Sequence, residues 1–439
     1  MSLVVQKYGG TSLGDAALIG RVADRVAAAR RAGREVVAVV SAMGSTTDEL
    51  LSVAHEVSPK PRGRELDALL STGERASAAL LALGLQRRGV AACSLTGADA
   101  GITTDDEHGR ARVLEVRPDR VREQLAAGRV PVVAGFQGVS RTGRDVTTLG
   151  RGGSDTTAAA LAVALDAEVC EIGTDVDGVY SADPRCVPDA RMLRYLPYEP
   201  MLELARGGAR VLVPRCVEYA GAHGLPVRVR PADGGGDGTW IAARPPRGKR
   251  GQRGDPAERA GVWGLAHLDR QVQLTVAGLR EDPDALATVF RALADADVGL
   301  DLPTWAASPD RDRRLEVSFL LPEAECERAG AALAEARSFC GFDALRRSEP
   351  MGKLTIVGTG LRSRPILLPA LLQALSAAGV VVARTELTES RIAVTCPEER
   401  LLEAAIAAHE ALVLGRSPFT SAPGAPGEPG GPVRAEVGR

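Results

Sequence analysis

The strongest constraint on the fold is an alternation that runs from residue 1 to about residue 230. Apolar, β-rich runs take turns with Ala/Leu/Arg stretches of helical spacing. "LVVQKYG", "EVVAVVSAM", "VPVVAGFQG" and "AEVCEIGTD" read as strands, while "AALIGRVADRVAAARRAG" and "SDTTAAALAVALDA" place apolar residues three and four apart, as a helix requires. Strands alternating with helices form a largely parallel sheet covered by helices, so residues 1–230 are expected to be one α/β domain.

Two strand-to-helix turns in this region are rich in glycine. The first strand runs into "KYGGTSLGD", with Lys7 at its end and Gly9 and Gly10 in the turn. The second turn lies in "TTLGRGGSDTTAAALAVAL", where Gly150, Gly152 and Gly153 precede a helix expected to begin near Asp155. A helix N-terminus offers unpaired N–H groups and the positive end of a dipole, so each turn is suited to an anion. One such turn is as readily structural. Two in one α/β domain, each with a cation (Lys7, Arg151), point to a phosphorylated ligand and to phosphoryl transfer, in which catalysis is mostly positioning and charge neutralisation. The Walker A pattern is absent, as are the Gly-rich loop and His-Arg-Asp signature of protein kinases.

The chain has 439 residues, 45% of them apolar and 25% charged, with a formal net charge of −2. That length corresponds to about three domains. The balanced charge fits an ordinary soluble protein rather than a nucleic-acid-coating one. Seven cysteines are scattered and never in C-x-x-C spacing, which argues against a disulfide framework or a zinc site and fits a reducing cytoplasm. No leader-like n-region or membrane-length apolar window is present, so neither secretion nor a membrane partner is expected.

From Ala232 the sequence turns to Gly, Pro and charge, "ADGGGDGTWIAARPPRGKRGQRGDPAERA", and residues 231–260 read as a flexible linker. A weak internal repeat follows. "VQLTVAGLREDPDALATVFRALADADVGLDL" and "GKLTIVGTGLRSRPILLPALLQALSAAGVVVAR" share one plan of strand, Pro-containing loop, helix and second strand, and each continues into a further strand and helix. Two βαββαβ modules of this kind, over 261–350 and 351–416, look like a tandem ligand-sensing pair. The Pro/Gly-rich tail, 417–439, is expected to be disordered.

Taken in order, "KYGGTSLGD", "VSAMGSTTDELL", "STGERASAALLALGL", "TLGRGGSDTTAAALA" and "TDVDGVYSADPR" resemble the aspartate kinases. The resemblance runs from about residue 3 to residue 415, apart from the linker. It implies the amino-acid-kinase fold, an open αβα sandwich, followed by two interleaved ACT domains. It also implies that ATP phosphorylates the side-chain carboxylate of L-aspartate to 4-phospho-L-aspartate, the first step of the pathway to lysine, threonine and methionine. Mg2+ would be held mainly by the phosphates and water, with no protein ligand cluster. A homo-oligomer formed through the ACT domains is the expected assembly.

The same resemblance assigns roles. An aspartate side chain, with a reference pKa of about 3.9, is already ionised at neutral pH, so the acceptor needs no general base. What must be overcome is repulsion between anions. Lys7 resembles the lysine that neutralises the phosphoryl group in flight, with the Gly9 and Gly10 amides around the phosphates. Asp155 resembles the acid that orients the cations; on its own it reads as a first-turn or N-cap carboxylate. Arg151 is placed to clamp the substrate α-carboxylate with its planar fork. Glu74 matches the residue that receives the α-ammonium, and Thr47 and Ser154 complete the aspartate site. Outside the resemblance, Glu74 reads as a solvated helix residue and Thr47 as an N-cap. On the nucleotide side stand Ser41, Gly152, Gly153, Thr174, Asp175, Tyr180, Arg185 and Arg210. Two other readings stay open: a kinase of the same fold acting on another acidic amino acid, and a non-catalytic ACT sensor.

The chain also departs from the family pattern. "G-A-K-V-L-H-P" is here "GARVLVP", Gly208 to Pro214, so that Arg210 keeps the charge and Val213 replaces a histidine without evident reason. Gly173 stands where an aromatic or hydroxyl residue is usual, which would loosen the adenine contact. In the ACT modules, Pro-Gly becomes Pro283-Asp284 and Pro365-Ile366, Gln-Asn becomes Trp305-Ala306, and the last motif is "LTESR", Leu387 to Arg391. Glycine there lets an effector carboxylate reach the helix amides, so weakened feedback by lysine or threonine is expected.

Overall fold

A computed structural model describes residues 2–245, 261–307 and 314–413. The expected tail, and the linker from residue 246 to 260, lie outside the described residues.

The apolar runs form the centre of an eight-stranded sheet. Its order is Tyr195–Leu196, Thr239–Ile241, Val227–Pro231, Val169–Thr174, Leu3–Tyr8, Glu35–Val40, Val130–Ala134 and Ala92–Leu95. Leu3–Tyr8 pairs in parallel with Glu35–Val40 on one side and with Val169–Thr174 on the other. Alternate residues of the same strands enter two cores, which explains why the runs are largely apolar, with Gln6, Lys7 and Glu171 among the exceptions. Val5, Val37, Val39 and Ile172 face helices Gly153–Ala164 and Pro214–His223. Val4, Val36, Ala38 and Val40 face helices Ala16–Arg31 and Thr72–Gln86. The result is a helix–sheet–helix sandwich. From Leu3–Tyr8 the chain goes to one neighbour first and returns much later to the other, which opens a crevice at the carboxyl ends of the central strands.

Several local readings need correction. "VPVVAGFQG" is two strands in different sheets, because Phe136 adopts a left-handed φ of 68° and ends the first at Ala134. Gln137–Ser140 belongs to a separate four-stranded sheet. The helix expected near Asp155 begins at Gly153, with left-handed Gly152 as its N-cap. The first part of the expected linker is not one, since Thr239–Ile241 is a strand of the main sheet, paired with Val227–Pro231.

The C-terminal half contains both repeats in one seven-stranded sheet. The repeats are not split at residue 350. Val262–Arg280 is a single 19-residue strand that serves both. Its stretch from Gln271 to Arg280 pairs with Arg314–Pro322, whereas Val262 to Leu268 pairs with Met351–Gly358 of the second repeat. Arg270, with a φ of 49°, marks the change of partner. Each repeat packs two helices on its own core, Pro283–Asp295 with Cys326–Cys340 and Leu367–Ala377 with Leu401–Ala408.

Candidate active site

Lys7 lies at the end of the central strand and points to the face that carries helix Gly153–Ala164. There its Nζ stands 2.5 Å from Asp155 Oδ1, with both side chains largely buried. An ion pair at a helix N-terminus, in the crevice between Leu3–Tyr8 and Val169–Thr174, is where an open α/β sheet binds its ligands. Gly9 is beside the ammonium group: a Cβ built there would lie 3.7 Å from Nζ. Gly10 has a different reason to be glycine. A Cβ would come within 2.8 Å of the Ala42 carbonyl oxygen, so the turn packs directly on the segment that follows Ser41.

That segment carries the second half of the site. Ser41 N–H donates to the Tyr8 carbonyl at 3.1 Å, continuing the strand pairing into the loop. Ala42 N–H donates to Glu74 Oε1 at 3.0 Å. Gly73 approaches so closely that a Cβ would meet the Ala42 methyl at 2.8 Å. Glu74 is therefore 3% exposed, although it heads a helix and reads as solvated. Its Oε2 is buried with no hydrogen-bond partner among the described residues. Burial pushes its pKa up to about 7, against the Ala42 hydrogen bond that favours the charged form. A buried carboxylate with an idle oxygen is arranged for a cation that arrives with a ligand. Thr47 is the second residue of helix Thr46–Val57, half-buried, and Ser45 rather than Thr47 is the N-cap.

The "GRGGSD" turn closes the other side. Ser154 and Asp155 are buried, and Gly135 at the end of Val130–Ala134 touches Ser154 so closely that a Cβ would stand 2.8 Å from the Ser154 Cβ. Val213 covers Gly152, its Cγ1 filling the place a Cβ would take. The valine thus has a packing role, locking "GARVLVP" onto the glycine turn. Arg151 and Arg210, each in one of these two segments, are exposed and make no ion pair among the described residues. Gly173 is pressed against Tyr8 and lies 3.0 Å, at its Cβ position, from the Lys7 carbonyl oxygen, so a side chain there would require the paired strand to give way slightly.

The other residues expected on the nucleotide side make no hydrogen bond or ion pair with Lys7 among the described residues. Thr174 ends its strand and donates to Asp175 at 3.1 Å. Tyr180 pairs in a short hairpin with Met192–Leu193. Arg185 is folded back on Asp183 through contacts of 3.0 and 2.7 Å. No hydrogen bond or ion pair among the described residues links Tyr180 or Arg185 to Lys7 or Asp155.

One supporting residue escaped the sequence reading. Asp67, 1% exposed, accepts from Thr148 N–H at 3.0 Å, Thr148 Oγ1 at 2.6 Å and Gly109 N–H at 3.1 Å, and its Oδ2 meets His108 Nδ1 at 2.8 Å. It fixes the strand that leads into the Arg151 turn. Its position three residues before buried Leu70 was the available signal, a carboxylate on the inward side of a helix.

Comparison with known proteins agrees with this fold. The profile of the amino acid kinase family matches residues 2–231. An aspartokinase of Mycolicibacterium smegmatis is 45% identical over 416 residues, covering 94% of this chain and 97% of that one. Aspartate kinase from Synechocystis, 35% identical, superposes with a TM-score of 0.52 over 93% of this chain and 69% of its own. E. coli aspartokinase III in complex with aspartate and ADP, in its R-state, shares the fold at a TM-score of 0.78 and 24% identity, covering 94% of this chain and 100% of that chain. The chain belongs to the amino acid kinase family, and within it to the aspartokinases.

Proposed function

We propose that the protein phosphorylates the side-chain carboxylate of L-aspartate with ATP, giving 4-phospho-L-aspartate and ADP. The observation that carries this reading is the pairing of two features in one crevice: a lysine–aspartate pair at a glycine-rich turn, and a buried glutamate with an unpartnered oxygen. The first suits phosphate and the second suits an ammonium group.

In this reading the Glu74 carboxylate holds the α-ammonium of aspartate and the Arg151 guanidinium its α-carboxylate, with Thr47 and Ser154 lining the site. The side-chain carboxylate then faces the terminal phosphorus of ATP. An aspartate oxygen forms the new bond to phosphorus as the bond to the bridging oxygen of ADP breaks, and no proton has to move. Lys7 and the amides of Gly9 and Gly10 offset the charge that builds up between the two anions. Asp155 fixes the lysine head group. Arg210, Gly152, Gly153 and Ser41 lie on the phosphate side, and Thr174, Asp175, Tyr180 and Arg185 on the adenosine side. Mg2+ supplies further neutralisation when bound with the nucleotide. The Asp155 carboxylate is the acidic group at that point, and no three His, Cys, Asp or Glu converge among the described residues. The ion's other ligands would be phosphate oxygens and water.

The ACT-like half is proposed to respond only weakly to lysine and threonine. Asp282 already accepts from Asp284 N–H, at 3.1 Å, so the first helix end is capped by the chain's own carboxylate. Ile366 stands 54% exposed at the second helix end. A cytoplasmic homo-oligomer is the proposed working form.

The test is ADP release in the presence of hydroxylamine, which traps an acyl phosphate as the hydroxamate. Turnover and hydroxamate with L-aspartate are expected, with little change on adding lysine and threonine at low millimolar concentration. Hydroxamate formed only with another acid would overturn the substrate, no turnover with any acid would overturn the activity, and strong inhibition would overturn the feedback reading.

A further inference from the structure

The face of the main sheet opposite Lys7 holds a second charged site that phosphoryl transfer does not use. A cleft of about 620 Å³ lies between helix Ala16–Arg31 and strands Val169–Thr174 and Val227–Pro231. Glu171, 3% exposed, stands at its floor. Three guanidinium groups converge on that one carboxylate, Arg25 at 3.3 Å, Arg230 at 3.3 Å and Arg228 at 3.5 Å, and Gln6 Nε2 donates to it at 2.9 Å. Arg21 and Arg34 also line the cleft, and neither side chain has a partner among the described residues.

The surrounding acids do not restore the balance. Asp24 is bound in a two-point contact to Arg88, which does not line the cleft, and Asp233 accepts from Gly235 N–H at its exposed loop. Asp237 reaches Arg228 from solvent at 3.3 Å. Burial and then the neighbouring Arg230 lower the pKa of Arg228 from its ordinary value. Burial alone would raise Glu171; Arg25, Arg230, Gln6 and Arg228 outweigh it and hold the carboxyl below its usual range. Arg230 Nε is buried and has no hydrogen-bond partner among the described residues. Glu171 already joins Arg25, Arg228 and Arg230, so it is the added charge of Arg21 and Arg34 on the same cleft that favours a further anion. A planar guanidinium fork matches the oxygens of a phosphate group.

We propose that this cleft binds a small dianion of the phosphate class, inorganic phosphate or the phosphate group of a monoester, at a place separate from the site of phosphoryl transfer. Arg25 Nη1 also donates to the Pro231 carbonyl at 2.5 Å, and Ala232 N–H to the Thr174 carbonyl at 2.8 Å. An anion held there would therefore bear on the strand ends that lead to the nucleotide loop.

The test measures binding of inorganic phosphate to the full chain by calorimetry and by 31P line broadening. It is made in a Lys7→Met background, which disables the other phosphate site. Saturable binding is expected to persist in that background and to weaken at least tenfold when Arg21→Ala and Arg34→Ala are added. The single Arg34→Ala variant should lie between, with an unchanged melting temperature. A phosphomonoester that binds as well as phosphate identifies the group as the ligand, whereas preference for free phosphate assigns the ion itself. Loss of all binding with Lys7→Met, indifference to the arginine substitutions, or equal binding of succinate would overturn the proposal.

Discussion

Glu74 shows how much of the chemistry is decided by burial rather than residue type. In sequence it is one more charge on an Ala/Leu helix. In the fold, close packing of Gly73 on Ala42 draws it inside and raises its pKa to about 7. The sign of the pH effect follows. In the proposed role Glu74 must be charged to hold an ammonium group, so the KM for aspartate should rise about tenfold per pH unit as pH falls below about 7. A Glu74→Gln enzyme should show a uniformly high KM without that slope, read from steady-state rates between pH 5.5 and 8. Stability of the empty protein responds in the opposite sense. With the folded pKa raised from 4.5 to about 7, this group's contribution is fully present below pH 4.5 and is lost as pH rises through about 7. The glycines were legible as turn residues, but not their individual reasons. Gly10 and Gly173 make room for protein, and Gly9 adjoins the lysine.

At the scale of elements, strands with both faces buried announce themselves, because two cores demand a mainly apolar run. Thr239–Ile241 and the break at Phe136 do not. The first is three residues set among glycines and charges, and the second depends on a backbone turn that many residues could make. The long strand Val262–Arg280 is legible as a strand, yet its change of partner depends on the second repeat, some 80 residues on. Helix Arg64–Leu70 matters for what Asp67 holds. Asp67→Ala would leave the Thr148 and Gly109 N–H groups, the Thr148 hydroxyl and His108 without their acceptor, at a cost of roughly 3–5 kcal/mol. The melting transition of the kinase half should fall by several degrees, and the KM for aspartate should rise as the Arg151 turn loosens. A melting curve and KM equal to wild type would show that the strand ending at Thr148 is held by something else.

Across the whole molecule, the two halves meet at the loop that precedes Arg185. Ser181, next to Tyr180, accepts from Leu265 N–H through its carbonyl at 2.7 Å. Its hydroxyl meets His409 Nε2 at 2.9 Å. His409 is fully buried, and burial lowers its pKa, which favours the neutral ring. Arg391 adds a second tie, reaching Glu203 of the kinase half at 3.5 Å and Glu386 of the C-terminal sheet at 2.8 Å. His409→Leu should raise the KM for ATP about tenfold while the KM for aspartate moves little, and His409→Gln should recover part of the loss. Equal changes in both constants would mean general destabilisation rather than positioning of the Tyr180–Arg185 loop proposed to hold the nucleotide. None of these ties was visible in sequence, because every contact that crosses between the halves joins residues more than 80 positions apart. The most direct test of the central claim concerns Lys7. In a Lys7→Met enzyme with wild-type melting behaviour, turnover with aspartate and ATP should fall about 10²–10³-fold. Turnover equal to wild type in that folded variant would contradict the assignment of this crevice as the site of phosphoryl transfer.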